Sequence, residues 1–366
     1  MKVKLKDISI TKGSYGINAS AVDKVSQKQV SYLRITDIDE FGNIRSKNMK
    51  TVDSKDYEKY LLQKNDIVFA RTGNSVGKNY FYDERDGKLV YAGFLVKFSL
   101  NEDKVYPKYF KYFAQTNKCQ GWIKNMASDG STRPNINAQQ LGNIELDLPV
   151  YSRQKSIADK LSIIDDKMRL NEQINANLLN LANTLFKHYF PDINTGTDKI
   201  GDYIKNFDKL RKPLSKKQRS EIPGKYRYIG ATSVNDHIDK YNFDGIYLLL
   251  GEDGTVQDEY GFPILQYTFG KFWPNNHAHV LQGKNVSTEW LYLYFSQRNI
   301  SGIVTGAVQK KVSQKNMNSL KFKLPDSQEL KKFDKIIQPL FSKIRSTKLE
   351  NYHLEELKRV LLTKLF

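Results

Sequence analysis

Apolar residues fall at 157, 161, 164 and 168, in steps of four, three and four, and Leu178 and Leu185 continue a seven-residue frame with Leu181 beside them. The frame returns near the end of the chain at Phe333, Ile337, Leu340, Ile344, Leu354, Leu361 and Leu365. Such spacing predicts amphipathic helices with a coiled-coil seam. Arg153 to Phe190 is 38 residues, about 55 Å as one helix. A rod that long cannot bury its stripe alone. Either each helix lies on its own domain or the two pair with each other. The seam turns polar midway at matching places, Asn171 and Asn175 in one helix, Thr347 and Asn351 in the other. Polar seam residues fix register at a cost in stability. Matched polar zones at mid-length favour antiparallel pairing.

The helices close a longer repeat. At an offset of 176 residues, GSTRPNINAQQLGNIELDLP (130–149) lies over GAVQKKVSQKNMNSLKFKLP (306–325) without a gap. Upstream the order of segments repeats with a drifting offset. KYRYIGATSV (225–234) answers VSYLRITDI (30–38), GIYLLLGEDGTV (245–256) answers DIVFARTGNSVG (66–77), HAHVLQG (277–283) answers FLVKFSL (94–100), and STEWLYLYFSQRN (287–299) answers VYPKYFKYFAQTN (105–117). The first three read as strands and the last as a helix, which Ser287 or Thr288 caps in the second copy. Val52 to Asp66 reads as a short helix, and another lies near Asn137 to Leu141. The expected fold is α+β: two pseudo-repeated α/β domains, 1–150 and 200–325, separated by long helices at 151–190 and 326–366 that form an antiparallel coiled coil, with a linker at 191–199. A long repeat constrains architecture more than any single motif. Kept scaffold with varied loops is the pattern of two modules that read different targets.

Charge narrows the partner. The formal charge is +18, from 58 basic and 40 acidic residues, and 1–190 and 191–366 each carry +9. A basic tail would have placed the excess at one end, whereas an even split gives each half its own positive face. Nucleic acid is the first expectation and acidic membrane surface the second. The single Cys119 excludes an intramolecular disulfide framework and fits a reducing, cytoplasmic compartment. MKVKLKDISI is no signal peptide, and no run of apolar residues is long enough to span a membrane. Trp122, Trp290 and Tyr294 are assigned to core. No HExxH, GxSxG, P-loop, carboxylate nuclease pattern or methylation motif stands in the chain. His277 and His279 would share a strand face, but no cysteine or obvious carboxylate accompanies them, so a metal site is not expected.

Three of these segments resemble the specificity subunit of a Type I restriction-modification system, over nearly the whole chain. IADKLSIIDDKMRLNEQINANLLNLANTLFKHYF (157–190) is similar to that family's central conserved helix, GSTRPNINAQQLGNIELDLP to the end of a target recognition domain, and KNDIVFARTGNSVGK (64–78) to its RTG turn. The chain departs from the pattern after Pro149, with Val150, Tyr151, Ser152, Arg153 and Gln154, and after Pro325, with Asp326, Ser327, Gln328 and Glu329. The resemblance implies two target recognition domains, each reading a few base pairs of a bipartite, asymmetric site in double-stranded DNA, and a helical spacer that docks two modification subunits. It places no catalytic centre or cofactor in this chain. S-adenosylmethionine would act in the modification subunit, and ATP and Mg in restriction subunits, of which two would join a cleaving complex. The seam would hold Ile157, Leu161, Ile164, Met168, Leu178, Leu185, Phe333, Ile337, Leu340, Ile344, Leu354 and Leu361, with Ile163, Ile174 and Phe186 facing partners.

DNA-contact candidates in the first domain are Arg34, the loop residues Arg71, Thr72, Asn74 and Lys78, and Ser131, Thr132 and Arg133. In the second they are Thr255, Gln257, Gln309, Lys310 and Lys311, with Trp273, Asn275 and Asn276 in an aromatic-polar loop. Arg and Asn make bidentate contacts to base edges, while Lys and Ser hold phosphate. Three alternatives stay open: the recognition subunit of a Type IIB-like system cutting on both sides of its site, a protein adaptor without DNA, and an RNA binder, although no RRM, KH or zinc-knuckle pattern is present.

Overall fold

A computed structural model describes residues 1–26, 28–44, 49–127, 134–306 and 308–366. The chain forms two compact units. Met1–Met168 with Tyr352–Phe366 make the first, and Arg169–Asn351 the second.

In the first unit a four-stranded sheet runs in the order Ser14–Tyr15, Leu95–Ser99, Asp66–Ala70, Asn79–Phe81. A separate pair sets Ser31–Leu33 parallel to Leu89–Tyr91. The core lies between the four-stranded sheet and the helices Pro107–Phe113 and Asn117–Ala127. The apolar run read as one helix from Val105 is therefore two. They break at Ala114–Thr116, where the Thr116 hydroxyl accepts the Cys119 N–H at 3.2 Å and starts the second helix. Between Val52 and Asp66 the expected helix is only a single 3-10 turn, Tyr57–Tyr60.

The second unit has one six-stranded sheet, in the order Ile204–Asn206, Ala278–Gly283, Phe243–Gly251, Leu265–Pro274, Pro223–Ile229, Val234–Ile238. Only Pro223–Ile229 against Leu265–Pro274 is parallel. The same plan underlies both units. In the first, Asn79–Phe81 and Leu89–Tyr91 together take the place of the single strand Leu265–Pro274, pairing antiparallel on one side and parallel on the other. The alternation of that ten-residue strand changes phase midway. Leu265, Tyr267 and Phe269 occupy odd positions, and then Gly270, at φ +71°, precedes an apolar Phe272 at an even one. The stretch 225–234 likewise holds two strands joined at Gly230–Ser233. Ser287 caps the helix Thr288–Ser296 by accepting the Trp290 N–H. Trp290 and Tyr294, on that helix, are buried in the second core, and Trp122 packs half-buried on the first core.

Two helices of 39 residues, Tyr151–Tyr189 and Ser327–Leu365, pack together. In the first unit the start of one, with Ile157, Ala158 and Leu161, meets the end of the other, with Leu361, Leu362 and Leu365. In the second unit Ala182 and Phe186 meet Phe333 and Ile337. Residue numbers rise along one helix as they fall along its neighbour, so the pair is antiparallel. The polar zones pair as their positions suggested. Asn171 donates to Asn351 Oδ1 and to Glu350 Oε2, both at 2.8 Å, and Thr347 donates to Asn175.

Ile157, Leu161, Ile164, Met168, Phe333, Ile337 and Ile344 are fully buried, whereas Leu178, Leu185, Leu340, Leu354 and Leu361 are only half-buried. A straight helix turns about 20° per heptad against a seven-residue frame. Four heptads beyond Ile157 and Phe333 the frame has rotated by about 80°, and the buried places pass from Leu185 to Phe186 and from Leu361 to Leu362. Phe186 was expected to face a partner. It is 1% exposed and packs on Phe190, Trp290 and Phe333 instead. Phe341 is buried rather than Leu340 because it faces the rings of Tyr267 and Tyr292. Ile163 is 68% exposed, and Ile174 half-buried. No helix among the described residues is long and apolar enough to cross a membrane.

Candidate nucleic-acid interface

In the first unit the strand Asp66–Ala70 leads into a turn through Arg71, Thr72 and Gly73. Its backbone is tied to the segment that follows residue 133. Gly73 N–H donates to Pro134 O at 2.9 Å, Ile136 N–H donates to Arg71 O at 2.9 Å, and Thr72 and Asn135 form an antiparallel bridge. Two stretches singled out separately in the sequence thus lie side by side. Ser131, Thr132 and Arg133 themselves fall outside the described residues. The Arg71 guanidinium lies 4.9 Å above the Tyr15 ring, and its Nε donates to Asn135 Oδ1 at 3.4 Å. Asn74 is exposed and Thr72 half-buried, while Lys78 Nζ donates to Ile38 O at 3.4 Å. The turn closes at Gly77, whose φ of +87° suits glycine, and Gln120 holds it from behind by donating to Gly77 O at 2.9 Å.

The same joint is built in the second unit. Gly254 N–H donates to Lys310 O at 2.9 Å, Val312 N–H to Glu252 O at 2.8 Å, and Asp253 bridges Lys311. Glu252, Asp253 and Gly254 therefore stand where Arg71, Thr72 and Gly73 stand, and Lys310, Lys311 and Val312 where Pro134, Asn135 and Ile136 stand. The backbone bonds are conserved between the halves and the side chains are exchanged, with an acid at the place of an arginine. Thr305 and Lys311 exchange two backbone bonds that raise a small hairpin, on which Val308, Gln309, Lys310 and Lys311 are exposed. Thr255 is exposed on the facing turn, and Gln257 is half-buried beyond it.

Three candidates are held in the scaffold. Arg34 donates to Asp37 through Nε at 2.9 Å and Nη2 at 2.8 Å, so its fork is already filled by a buried carboxylate. Asn275 is 7% exposed and accepts the His277 N–H, which makes it a turn residue. The Trp273 indole donates to Lys212 O at 2.6 Å. Asn276 is exposed, with its carbonyl accepting from Arg211 at 3.2 Å.

Beneath the second joint lies an ionic cluster that the sequence reading missed. His279 is 1% exposed; its Nδ1 lies 2.6 Å from Asp208 Oδ2 and its Nε2 2.9 Å from Val312 O. Glu252 accepts Arg211 Nη1 at 2.7 Å, and Lys311 Nζ stands 3.7 Å from its other oxygen. Burial opposes charge on His279, but the hydrogen bond and charge of Asp208, the Val312 carbonyl and the charge of Glu252 outweigh it, and the pKa is raised. Burial likewise works against the Asp208 carboxylate, and His279 above all overcomes it and lowers the pKa. Asp208, Glu252 and His279 are close enough to hold a metal ion. Arg211 already bridges the two carboxylates, and His279 spends Nδ1 on Asp208 and Nε2 on the Val312 carbonyl, so the cluster is neutralised from within the chain. The pair His277 and His279 was the trace of it in the sequence; its carboxylates, Asp208 and Glu252, come from distant segments.

The profile of the Type I restriction modification DNA specificity domain matches residues 1–180 and 197–359. The chain belongs to this family. Among curated specificity subunits, a putative one from Haemophilus influenzae is 30% identical over 129 residues, 35% of this chain and 32% of that protein. The putative MjaX specificity subunit of Methanocaldococcus jannaschii is 22% identical, covering 97% of this chain and 87% of its own length. The chain thus spans about a third of the first curated relatives it matches, 32% and 29% for the two from Haemophilus influenzae. The crystal structure of a Type I restriction-modification S subunit from M. genitalium superposes with a TM-score of 0.53 at 17% identity, over 100% of this chain and 96% of that one. That likeness shows the fold: two α/β domains and two long helices that pack together.

Proposed function

We propose that this specificity-family chain reads a bipartite, asymmetric target in double-stranded DNA and directs methylation to it. Residues 1–150 and 200–325 act as the two target recognition domains. One loop joint reads each half of the target. The observation that carries the proposal is the joint that recurs with the same backbone bonds and exchanged side chains, Arg71 and Asn135 in one unit, Glu252 and Lys311 in the other. Equal backbones place two loops alike, and unlike side chains select unlike bases. Arg71, partly held by Tyr15 and Asn135, is presented in a fixed plane for a base edge. Exposed Lys310 and Gln309 approach the duplex from their hairpin, Lys310 holding phosphate. In this reading the chain supplies no reaction. Two modification subunits, which use S-adenosylmethionine, dock on apolar residues left open along the helices, such as Ile163, Leu170 and Leu349, each at least 46% exposed. Restriction subunits add ATP- and Mg-dependent cleavage where they are present.

The test is to purify the chain with its modification subunits, methylate genomic DNA, and map the modified bases by single-molecule sequencing. Two short unlike half-sites with a fixed gap are expected. Swapping residues 1–150 for those of a relative should change one half only. A continuous palindromic motif, or no methylation, overturns the proposal.

A further inference from the structure

The two loop joints are fastened by different chemistry. In the first unit the strand position beneath the joint is Val96, the partner of Phe69, and it is fully buried. In the second unit the same position is His279, the partner of Leu250. Val96 can neither donate nor titrate. His279 reaches the second loop through the Val312 carbonyl at 2.9 Å, one residue beyond Lys311. On its other side it reaches Asp208 at 2.6 Å. Both ring nitrogens face oxygen acceptors, and only an imidazolium donates from both. A neutral ring would set a lone pair against either the carboxylate or the carbonyl.

The surrounding charges come from three segments. Asp208 and Arg211 precede the edge hairpin, Glu252 is on the first loop, and Lys311 is on the second. Arg211 also donates to Ala278 O at 2.7 Å, and Arg211 Nη2 lies 3.6 Å from Asp208 Oδ2. His277, two residues before His279, pairs with Asp253 at the rim. With His279 charged, two half-buried carboxylates meet Arg211, His279 and, at the rim, Lys311. With it neutral, Arg211 alone bridges both carboxylates, and the ring keeps its hydrogen bond to the Val312 carbonyl only by giving up the one to Asp208.

We infer that His279 is a positioning residue which, as an imidazolium, clamps the second loop of the second unit to Asp208 and the strand below, so that reading of one half of the target, and not of the other, weakens as pH rises. This rests on the reading of each joint as a recognition site. Burial opposes its charge, but with its pKa raised from the ordinary value by Asp208, His279 keeps its proton to higher pH than a free histidine, and the clamp is lost as pH climbs through its pKa in the folded chain.

The experiment uses the complex with modification subunits and duplexes carrying the mapped target, intact or with one base changed in either half. Methylation rates are compared from about pH 6 to 9, a window set above that of an ordinary histidine because the His279 pKa is raised. Discrimination against changes in the half read by residues 200–325 is expected to fall about tenfold across that range, the size of one charge-assisted hydrogen bond. Discrimination in the other half stays level and reports that the complex remains folded. His279→Gln should show the weakened discrimination at every pH. Asp208→Asn, which removes the partner that sustains the charge, should move the midpoint to lower pH, a shift that a purely structural role would not produce. In the chain alone, the His279 ring-proton resonance, assigned by its loss in His279→Gln, should titrate above the ordinary histidine range and move down in Asp208→Asn. Equal loss in both halves, a midpoint unmoved by Asp208→Asn, or an ordinary titration overturns the inference while leaving a split methylated motif intact. Absence of any split motif overturns the functional reading first, and the clamp's role with it.

Discussion

Lys358, on the second long helix, is 1% exposed, and its Nζ lies 2.7 Å from Asp165 Oδ1 on the first. The other oxygen of Asp165 accepts from Lys111 Nζ at 2.8 Å and from Tyr112 Oη at 2.9 Å. Asp165 therefore has two further partners, whereas the Lys358 ammonium depends on Asp165 and on the Tyr112 ring face, 5.4 Å away. That asymmetry predicts unequal costs. Asp165→Asn leaves a buried ammonium without its counter-charge, a defect of about 3–5 kcal/mol. Lys358→Met keeps the apolar stem's volume and leaves Asp165 paired, so it should cost about 1.5 kcal/mol or less. The double variant should be more stable than Asp165→Asn alone, because the stranded charge is gone. For a unit of this size each kcal/mol moves the melting midpoint by about 2–4 °C, so Asp165→Asn should lower it by roughly 6–20 °C. Trp122 reports this unit once Trp273 and Trp290 are replaced by Phe, so the transition can be followed by its fluorescence during heating. The pH sign follows from the shifts. Burial raises the Asp165 pKa, but Lys111 and Lys358 outweigh it and leave it lowered. Its stabilisation is present above the unfolded carboxyl range and disappears as pH falls through the folded value. Burial lowers the Lys358 pKa, so its cost is greatest while the amine is charged and eases as pH rises towards the ordinary lysine range. Equal losses for Asp165→Asn and Lys358→Met, or a double variant no better than Asp165→Asn, would refute this account of the pair.

Phe186→Ala should remove about 3–5 kcal/mol from the second unit, since the ring is buried among Phe190, Trp290 and Phe333, with the loss visible in chemical denaturation followed at Trp290. An exposed, partner-facing Phe186 would instead leave stability within about 0.5 kcal/mol. Gly77→Ala forces an L side chain to φ +87° and sets its Cβ 2.7 Å from Gln120 Oε1, so a loss of about 1–2 kcal/mol in the first unit is expected by calorimetry. Arg71→Ala should relax discrimination at one base of the half read by residues 1–150 at a cost of about 1–3 kcal/mol, measured by methylation of single-base variants. Lys310→Ala should weaken binding across sequences alike and reduce the salt slope by about one, measured by fluorescence titration of labelled duplex.

The sequence by itself determined the repeat and the two long helices with their polar middle, and it favoured an antiparallel pair; that the two loop motifs of each half lie side by side was decided by the tertiary structure. Apolar periodicity over almost forty residues demands a surface to bury the stripe, and matched Asn and Thr positions at mid-length favour an antiparallel partner. The turn at Arg71–Gly73 and its counterpart were legible because glycine and short polar residues stand between strands in both copies. What lay beyond reach depended on contacts distant in the chain. A seven-residue frame read on paper does not rotate, so Phe186 was turned outward when the helix had carried it into the core. Leu265–Pro274 was hidden because Gly270 reverses its alternation, and only the neighbours on both sides, one parallel and one antiparallel, make it a strand. Arg34 and Asn275 read as free hydrogen-bonding groups until their local acceptors and donors were in place. Asp208, Arg211, Glu252 and His279 stand far apart in sequence and carry no shared motif. Tertiary structure alone decided that they form one neutralised cluster, because a buried charge takes the nearest partner in space whatever its position along the chain.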